Sequence, residues 1–464
     1  MPVRTRVIPI TVRTISSRFP MSISWAVAAI SIPLMLVAPA IWNGYPLLQY
    51  DTGGYLARWY EGYLVPSRST VFGIYLHLGT HWDFWLNLGL QALATMWIVQ
   101  LTLRVFGMTR AIQVAGVVAA LTLTTALPWL ASMLLTDIFA GLAVLALFLL
   151  VSQNRRLGVW QKVALFVFTA FSGATHSATL GVLAGLCLAG WLLWPVMRNR
   201  LPVRGLLQGT LTIPAGAAML LAANFALSGQ LAWTPGASGV TFGRMLQDGI
   251  VAKYLNDHCD QQKLKLCPYR NQLPATADDF LWGKSMFNDL GRFNGLGDEM
   301  AFIAREALFA YPVLQAEMAA KAAAEQLVLV ATGEGSHNWI AHTYGIFETY
   351  LPDHVPAMRA ARQQKWEFNF DGVNAIHVPV AYASMLLLFA VMTLAAIRRR
   401  MDDLTLLAGW VVLALLGNAI ICGVFSGPHD RYGARMVWIA TFVVIIAAIR
   451  EAGGLITAAR RSAP

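Results

Sequence analysis

Charge is the scarcest feature of this chain. Of its 464 residues only 12% are Asp, Glu, Lys or Arg, against about 25% in an ordinary soluble domain. Hydrophobic residues make up 57% and the mean hydropathy is +0.56. That balance excludes a water-soluble globular protein. Four familiar signatures are missing: the phosphate-cradling glycine loop, the dinucleotide glycine pattern, the nucleophile elbow and the paired-histidine zinc motif. No repeat or low-complexity tract is present either, which disfavours repeat-built transporters. Cysteine is rare. Cys187 and Cys422 sit in apolar runs and read as inert. Cys259 and Cys267 sit in polar sequence and read as a disulfide closing a short loop on an oxidising side. Two unpaired thiols or a metal pair are the alternatives, but the spacing fits no standard zinc knuckle.

Long apolar runs are abundant. They cover 22–42, 83–103, 111–128, 134–151, 162–176, 178–196, 205–228, 379–397, 404–423 and 436–450. A run of about 17–25 residues is long enough to cross the hydrocarbon core. The expected fold is all-α: a polytopic membrane protein of about ten transmembrane helices, with a mainly helical external region after the seventh. Three parts follow: a seven-span module over 1–228, an external region over 229–378, and three further spans with a tail over 379–464. Val71–His81 is apolar and aromatic but too short to cross, so it reads as an interfacial segment. Val37-Ala38-Pro39-Ala40 loosely resembles a signal cleavage site, yet cleavage there would remove the first span. In the external region Pro312 is expected to interrupt a helix running from Glu299 to Val330.

The net charge is +10, which raises the question of nucleic acid. The distribution answers it. Arg4/Arg6/Arg13/Arg18, Arg104/Arg110, Arg155/Arg156/Lys162, Arg198/Arg200/Arg204, Arg398/Arg399/Arg400 and Arg450/Arg460/Arg461 hold more than half of the 34 Lys and Arg. With ten spans, every one of these clusters falls on the same side, which is the positive-inside pattern. Both termini are then cytoplasmic in an inner, plasma-type membrane, and nucleic acid is not a partner. The internal loops are too short for a nucleotide site.

The opposite side carries the residues fit for chemistry. The stretch NGYPLLQYDTGGYLARWYEGYLVPSR, residues 43–68, follows the first run directly. Asp51 in it is a candidate general base; its plain alternative is a cap on a helix starting at Thr52. The glycines after it would let a ligand approach the backbone. Arg58 and Arg68 are candidate phosphate ligands. Asp137 opens the fourth span and is either a second catalytic carboxylate or a helix cap. His176 lies in a tight turn between spans five and six, solvated or beside a phosphate. SGPHDRYGAR, residues 426–435, brings His429, Asp430, Arg431 and Arg435 to the side that should be poor in positive charge. Arginine's planar fork suits phosphate oxygens; a salt bridge with Asp430 or Glu61 is the alternative. His337 and His342, with Trp339 and Tyr344, are candidates for an acceptor groove.

This order resembles the membrane glycosyltransferases of the GT-C superfamily. It runs from a basic inner end and one span to an outer loop with an acid, an Arg-and-aromatic segment (RSTVFGIY from Arg68) and an acid opening the fourth span. The late Arg431-Tyr432 pair is similar to one before a terminal span in related bacterial families. The resemblance implies an inverting transferase that moves a sugar from a polyprenyl-phosphate-linked donor to a glycan, lipid or protein acceptor outside the membrane. It places Asp51 as catalytic base and Asp137 as a second acid. Paired acids are absent because Thr52 follows Asp51, so a divalent metal, used by some members, stays an open option and no metal ligand is assigned. Two alternatives remain: an O-antigen-ligase-like glycan transferase, and a lipid or glycan flippase that transfers no bond.

Overall fold

The computed structural model describes residues 23–462, apart from 63, 235, 337–339, 366–367 and 400. His337 and Trp339 lie outside the described residues, as do Arg4, Arg6, Arg13, Arg18 and Arg400 and the side chains of Arg460 and Arg461. Among the described residues the protein is helical and forms no strand; its only β-bridge joins Leu47 to Met133.

The first part runs α1 (Ile23–Leu36), α2 (Ala38–Asn43), α3 (Thr52–Glu61), α4 (Thr70–His77), α5 (Trp85–Val105), α6 (Ala111–Thr124), α7 (Leu127–Ala131), α8 (Asp137–Ser152), α9 (Val159–Thr175), α10 (Ser177–Met197) and α11 (Val203–Ser228). α8 is its mast. Its sequence is apolar all round, and every residue from Asp137 to Val151 is buried, as expected of a helix with neighbours on all sides. It packs against α5, α9, α10 and α11. α1 lies at the rim: Ile23, Val27, Ile30 and Leu34 recur at helical spacing on one exposed face. α4 covers the segment read as interfacial from sequence. The structure instead tucks it into the bundle against α3, α9 and α11, because Val71, Phe72, Tyr75 and Leu76 find apolar partners within the protein.

The middle of the chain divides between two cores. A separate lobe gathers around α12 (Ala237–Gln247), α13 (Ile250–His258), α14 (Ala277–Leu281), α15 (Met286–Asp289) and α16 (Arg292–Ala310), with Phe242, Tyr254, Phe280, Phe287 and Ile303 at its centre. Cys259 and Cys267 form a disulfide at its edge. α16 stops at Ala310, and α17 (Pro312–Val328) starts on Pro312, a residue that fits the first turn of a helix and not its interior. α18 (Ala341–Tyr350) and α19 (Val355–Ala360) then pack into the main core through Phe347 and Met358.

The last part is α20 (Asp371–Ile397), α21 (Asp403–Phe425) and α22 (Asp430–Ser462). α17 lies along α21 so closely that a side chain at Gly423 would meet the Ala322 carbonyl at 2.7 Å. α22 threads the centre: Gly141 of α8 leaves room for the Trp438 indole, with only 2.6 Å between its Nε1 and an added Cβ.

A helix occupies each of the ten segments expected to cross. Among the described residues six helices are long and apolar enough to span a membrane: α5, α10, α11, α20, α21 and the Asp430–Gly453 portion of α22. α1, α6 and α8 are apolar but shorter. The most apolar window of α20 is only 17% buried within the protein, against 72% for α22; α20 is an exposed edge of the bundle and α22 an interior strut. The bundle has two distinct ends. At one, Asp403 accepts from Arg156 (2.9 Å) and Arg200 (3.3 Å), and Asp402 from Arg450 (3.1 Å). At the other lie the residues described next.

Candidate functional site

Asp51 stands at the N-cap of α3, yet its carboxylate caps nothing. Both oxygens are taken by arginines: Oδ1 accepts from Arg68 Nη2, and Oδ2 from Arg431 Nη1 at 2.8 Å. The Asp51 side chain is 6% exposed, Arg68 18% and Arg431 11%. Local geometry fixes all three. The backbone N–H of Asp51 donates to Gln49 Oε1, and that of Gly53 to Thr343 Oγ1. Arg431 begins α22, its guanidinium lying over the rings of Tyr50 (5.6 Å) and Tyr432 (4.8 Å). Burial alone pushes the Asp51 carboxyl up, but Arg68 and Arg431 outweigh it and hold it below its ordinary value.

The glycines after Asp51 were expected to admit a ligand. The structure fills both spaces with protein instead. A Cβ on Gly53 would sit 2.6 Å from Thr343 Cα, and one on Gly54 would sit 3.2 Å from Arg68 Nε. The glycines allow α18 and Arg68 to close on α3.

A second pair lies deeper. Asp137, the first residue of α8, receives Arg435 Nη1 at 3.4 Å; their side chains are 4% and 1% exposed. Arg435 also donates to Asn418 Oδ1 at 2.8 Å. Neither arginine of α22 uses the partners suggested by sequence. Asp430 accepts from the Ala331 N–H, and Glu61 from Tyr350. His176 caps the junction of α9 and α10, with its Nδ1 buried and unpartnered within the protein. Burial, then the charges of Arg435, Arg431 and Arg68, hold its imidazole well below the ordinary value, so it is neutral.

Sequence reasoning missed Glu334, in the loop before α18. Its Oε1 accepts from His429 Nδ1 at 2.7 Å, and Oε2 from the Arg431 N–H at 2.8 Å. Gln326 of α17 donates to the His429 carbonyl and accepts from its N–H. Together they clamp the start of α22. A cleft opens here, lined among others by Trp129, Asp137, Thr332, Glu334, Phe370 and Arg431. Buried polar atoms without a protein partner lie in this neighbourhood: Gln49 Nε2, Arg431 Nε and His176 Nδ1.

The structure thus brings together Asp51, Arg68, Arg431, His429, Asp137, Arg435 and His176, which span almost the whole sequence. Arg58 has another role. It is fully buried and donates to Thr70 Oγ1 (3.1 Å) and to the Val65 carbonyl, which ties α3 to the loop before α4. His342, from the supposed acceptor groove, is exposed on α18 and feels Arg68, Glu61 and Asp51. No cluster of three or more His, Cys, Asp or Glu able to hold a metal occurs among the described residues. Comparison with protein-family models, curated proteins and solved structures finds no match for this chain.

Proposed function

We propose that the protein is a membrane glycosyltransferase of the GT-C kind. It moves a sugar from a polyprenyl-phosphate-linked donor to a hydroxyl acceptor, with inversion. The single observation that carries this reading is the placement of Asp51 between the forks of Arg68 and Arg431, at one end of the bundle and beside a cleft. A base for the acceptor and cations for a leaving phosphate are needed within one ligand's length of each other, and this arrangement supplies both.

In the proposed reaction Asp51 takes the proton of the acceptor hydroxyl. The acceptor oxygen forms a bond to the anomeric carbon from the face opposite the phosphate. The carbon–oxygen bond to the lipid phosphate breaks, and that phosphate leaves as an anion on the guanidinium groups. Charge stabilisation at the leaving group is most effective where donors are pre-placed and water is scarce. Asp137 and Asn418 fix Arg435 behind the site, and neutral His176 adds no charge to oppose the cations.

The same reading includes ten crossings, both termini on the cytoplasmic side and the site on the outer face. Its support is the grouping of Arg156, Arg200 and Arg450 at the opposite end of the bundle. The test is sugar transfer from a prenyl-phosphate sugar in proteoliposomes. Asp51→Asn is expected to lower the rate by about 10²–10⁴-fold, the usual contribution of a general base, while the protein stays folded. Transfer at the wild-type rate by a folded Asp51→Asn protein removes Asp51 from the chemistry. Movement of the intact lipid across the bilayer without transfer favours the flippase alternative.

A further inference from the structure

We infer that the Arg68–Arg431 pair is an anion-exchange site: Asp51 is its resident anion, and a substrate phosphate displaces Asp51 from the two guanidinium groups. That the phosphate belongs to a sugar donor rests on the reading above; the exchange itself is tested without any transfer.

Three observations carry it. First, two cations share one carboxylate. Arg68 and Arg431 approach different oxygens of Asp51, and Arg435 is occupied by Asp137 and Asn418. Asp51 alone does not match the charge of the pair; Glu334, which accepts from the Arg431 N–H, and Asp137 also act on Arg431. Second, Arg431 is not saturated. Its Nη1 serves Asp51 and its Nη2 the Tyr432 hydroxyl at 3.3 Å, while Nε is buried without a protein partner. A phosphate, with more oxygens than a carboxylate, can take up such a donor. Third, Arg431 also lines the cleft that runs past Trp129 and Phe370. It faces Asp51 on one side and this small cleft on the other.

The exchange has a chemical consequence. A carboxylate gripped by two arginines is a weak base, because both partners favour its charged form. Transferring the arginines to an incoming phosphate leaves Asp51 free to accept a proton. The base is thus masked until an anion is bound, so the phosphate-bearing substrate binds before the acceptor is activated.

The experiment measures binding of farnesyl phosphate and, separately, inorganic phosphate to the purified full-length protein in detergent micelles. Asp51→Asn removes the competing anion and keeps the side chain's shape. It is expected to tighten farnesyl phosphate binding by at least about tenfold, a modest change for deleting one charged competitor. Arg431→Gln is expected to abolish it. Tightening for both probes assigns the site to phosphate as such; tightening for farnesyl phosphate alone assigns it to a lipid phosphate. If Asp51→Asn is unstable on its own, its unfolding midpoint is expected to rise more on adding farnesyl phosphate than that of the wild type. Unchanged or weaker binding in a folded Asp51→Asn protein overturns the inference, as does an equal or smaller midpoint shift. Tightening in Asp51→Asn, together with a wild-type protein that transfers no sugar from a prenyl-phosphate donor, leaves the exchange standing and defeats the transferase reading instead.

Discussion

At the scale of single residues, the most informative signals were charges in the wrong place. Asp51, Asp137, Arg431 and Arg435 stood out because membrane-adjacent charge needs a partner. The sequence could not say which partner. The salt-bridge alternative to phosphate binding named Asp430 or Glu61, and both arginines instead reach carboxylates far back in the chain. Glu334 went unread because nothing in GEGSHNW distinguishes a loop acid from one whose partners lie almost 100 residues later. Arg58 was over-read: a basic residue near the surface in sequence became a fully buried strut. The deep pair makes a prediction. Arg435 and Asp137 are almost wholly enclosed, so Arg435→Ala leaves a buried carboxylate without its cation. The expected loss is about 3–5 kcal/mol, read as a lowered unfolding midpoint in detergent. Leu in place of both Arg435 and Asp137 is expected to recover much of that loss, since a buried pair is often replaceable by apolar packing.

At the scale of elements, apolar period and length located the helices well, because a helix in lipid must satisfy its own backbone and bury or expose apolar side chains along its whole length. What they could not locate was packing depth. α4 has the composition of an interfacial helix and is packed inside the protein, since composition does not tell whether a Phe meets lipid or another helix. The clamp on the start of α22 was equally invisible, although it is the element that aims Arg431. Its behaviour with pH follows from its two titrating members. Burial raises the Glu334 carboxyl, but the His429 hydrogen bond and charge and the Arg431 N–H bring it below its ordinary value. Its contribution is present above the unfolded value of about 4.3 and is lost as pH falls through the folded pKa. Burial lowers His429, but Glu334 raises it above its ordinary value. Its contribution is present below the unfolded value of about 6.5 and is lost as pH rises through the folded pKa. Both contributions are therefore fully present between the two unfolded values, from about 4.3 to about 6.5. Hydrogen exchange at the Arg431 amide, corrected for intrinsic rate, is expected to show greatest protection in that interval. Glu334→Gln is expected to flatten the profile, and a flat profile in the wild type defeats the assignment.

At the scale of the whole molecule, Arg156, Arg200 and Arg450, which come from three of the basic clusters, gather at one end around Asp402 and Asp403. The division of 229–378 between two cores was not legible, because both halves have similar helical composition and only long-range contacts separate them. The lobe over 242–307 has its own core and its own disulfide, which gives an independent prediction. Replacing Cys259 and Cys267 by Ser is expected to destabilise that lobe by about 2.5 kcal/mol, the chain-entropy value for so short a loop. Proteolysis should then cut first within 259–290 while the helical bundle stays intact; simultaneous loss of both would show that the lobe is not a separate unit. The central position of α22 bears finally on how the chain is made. The helices carrying Asp51 and Asp137 leave the ribosome long before the helix that carries Arg431 and Arg435. Throughout translation those acids sit in a half-built bundle with no counter-ion from α22. A nascent protein stalled before α22 keeps Arg68 beside Asp51 but leaves Asp137 without its cation.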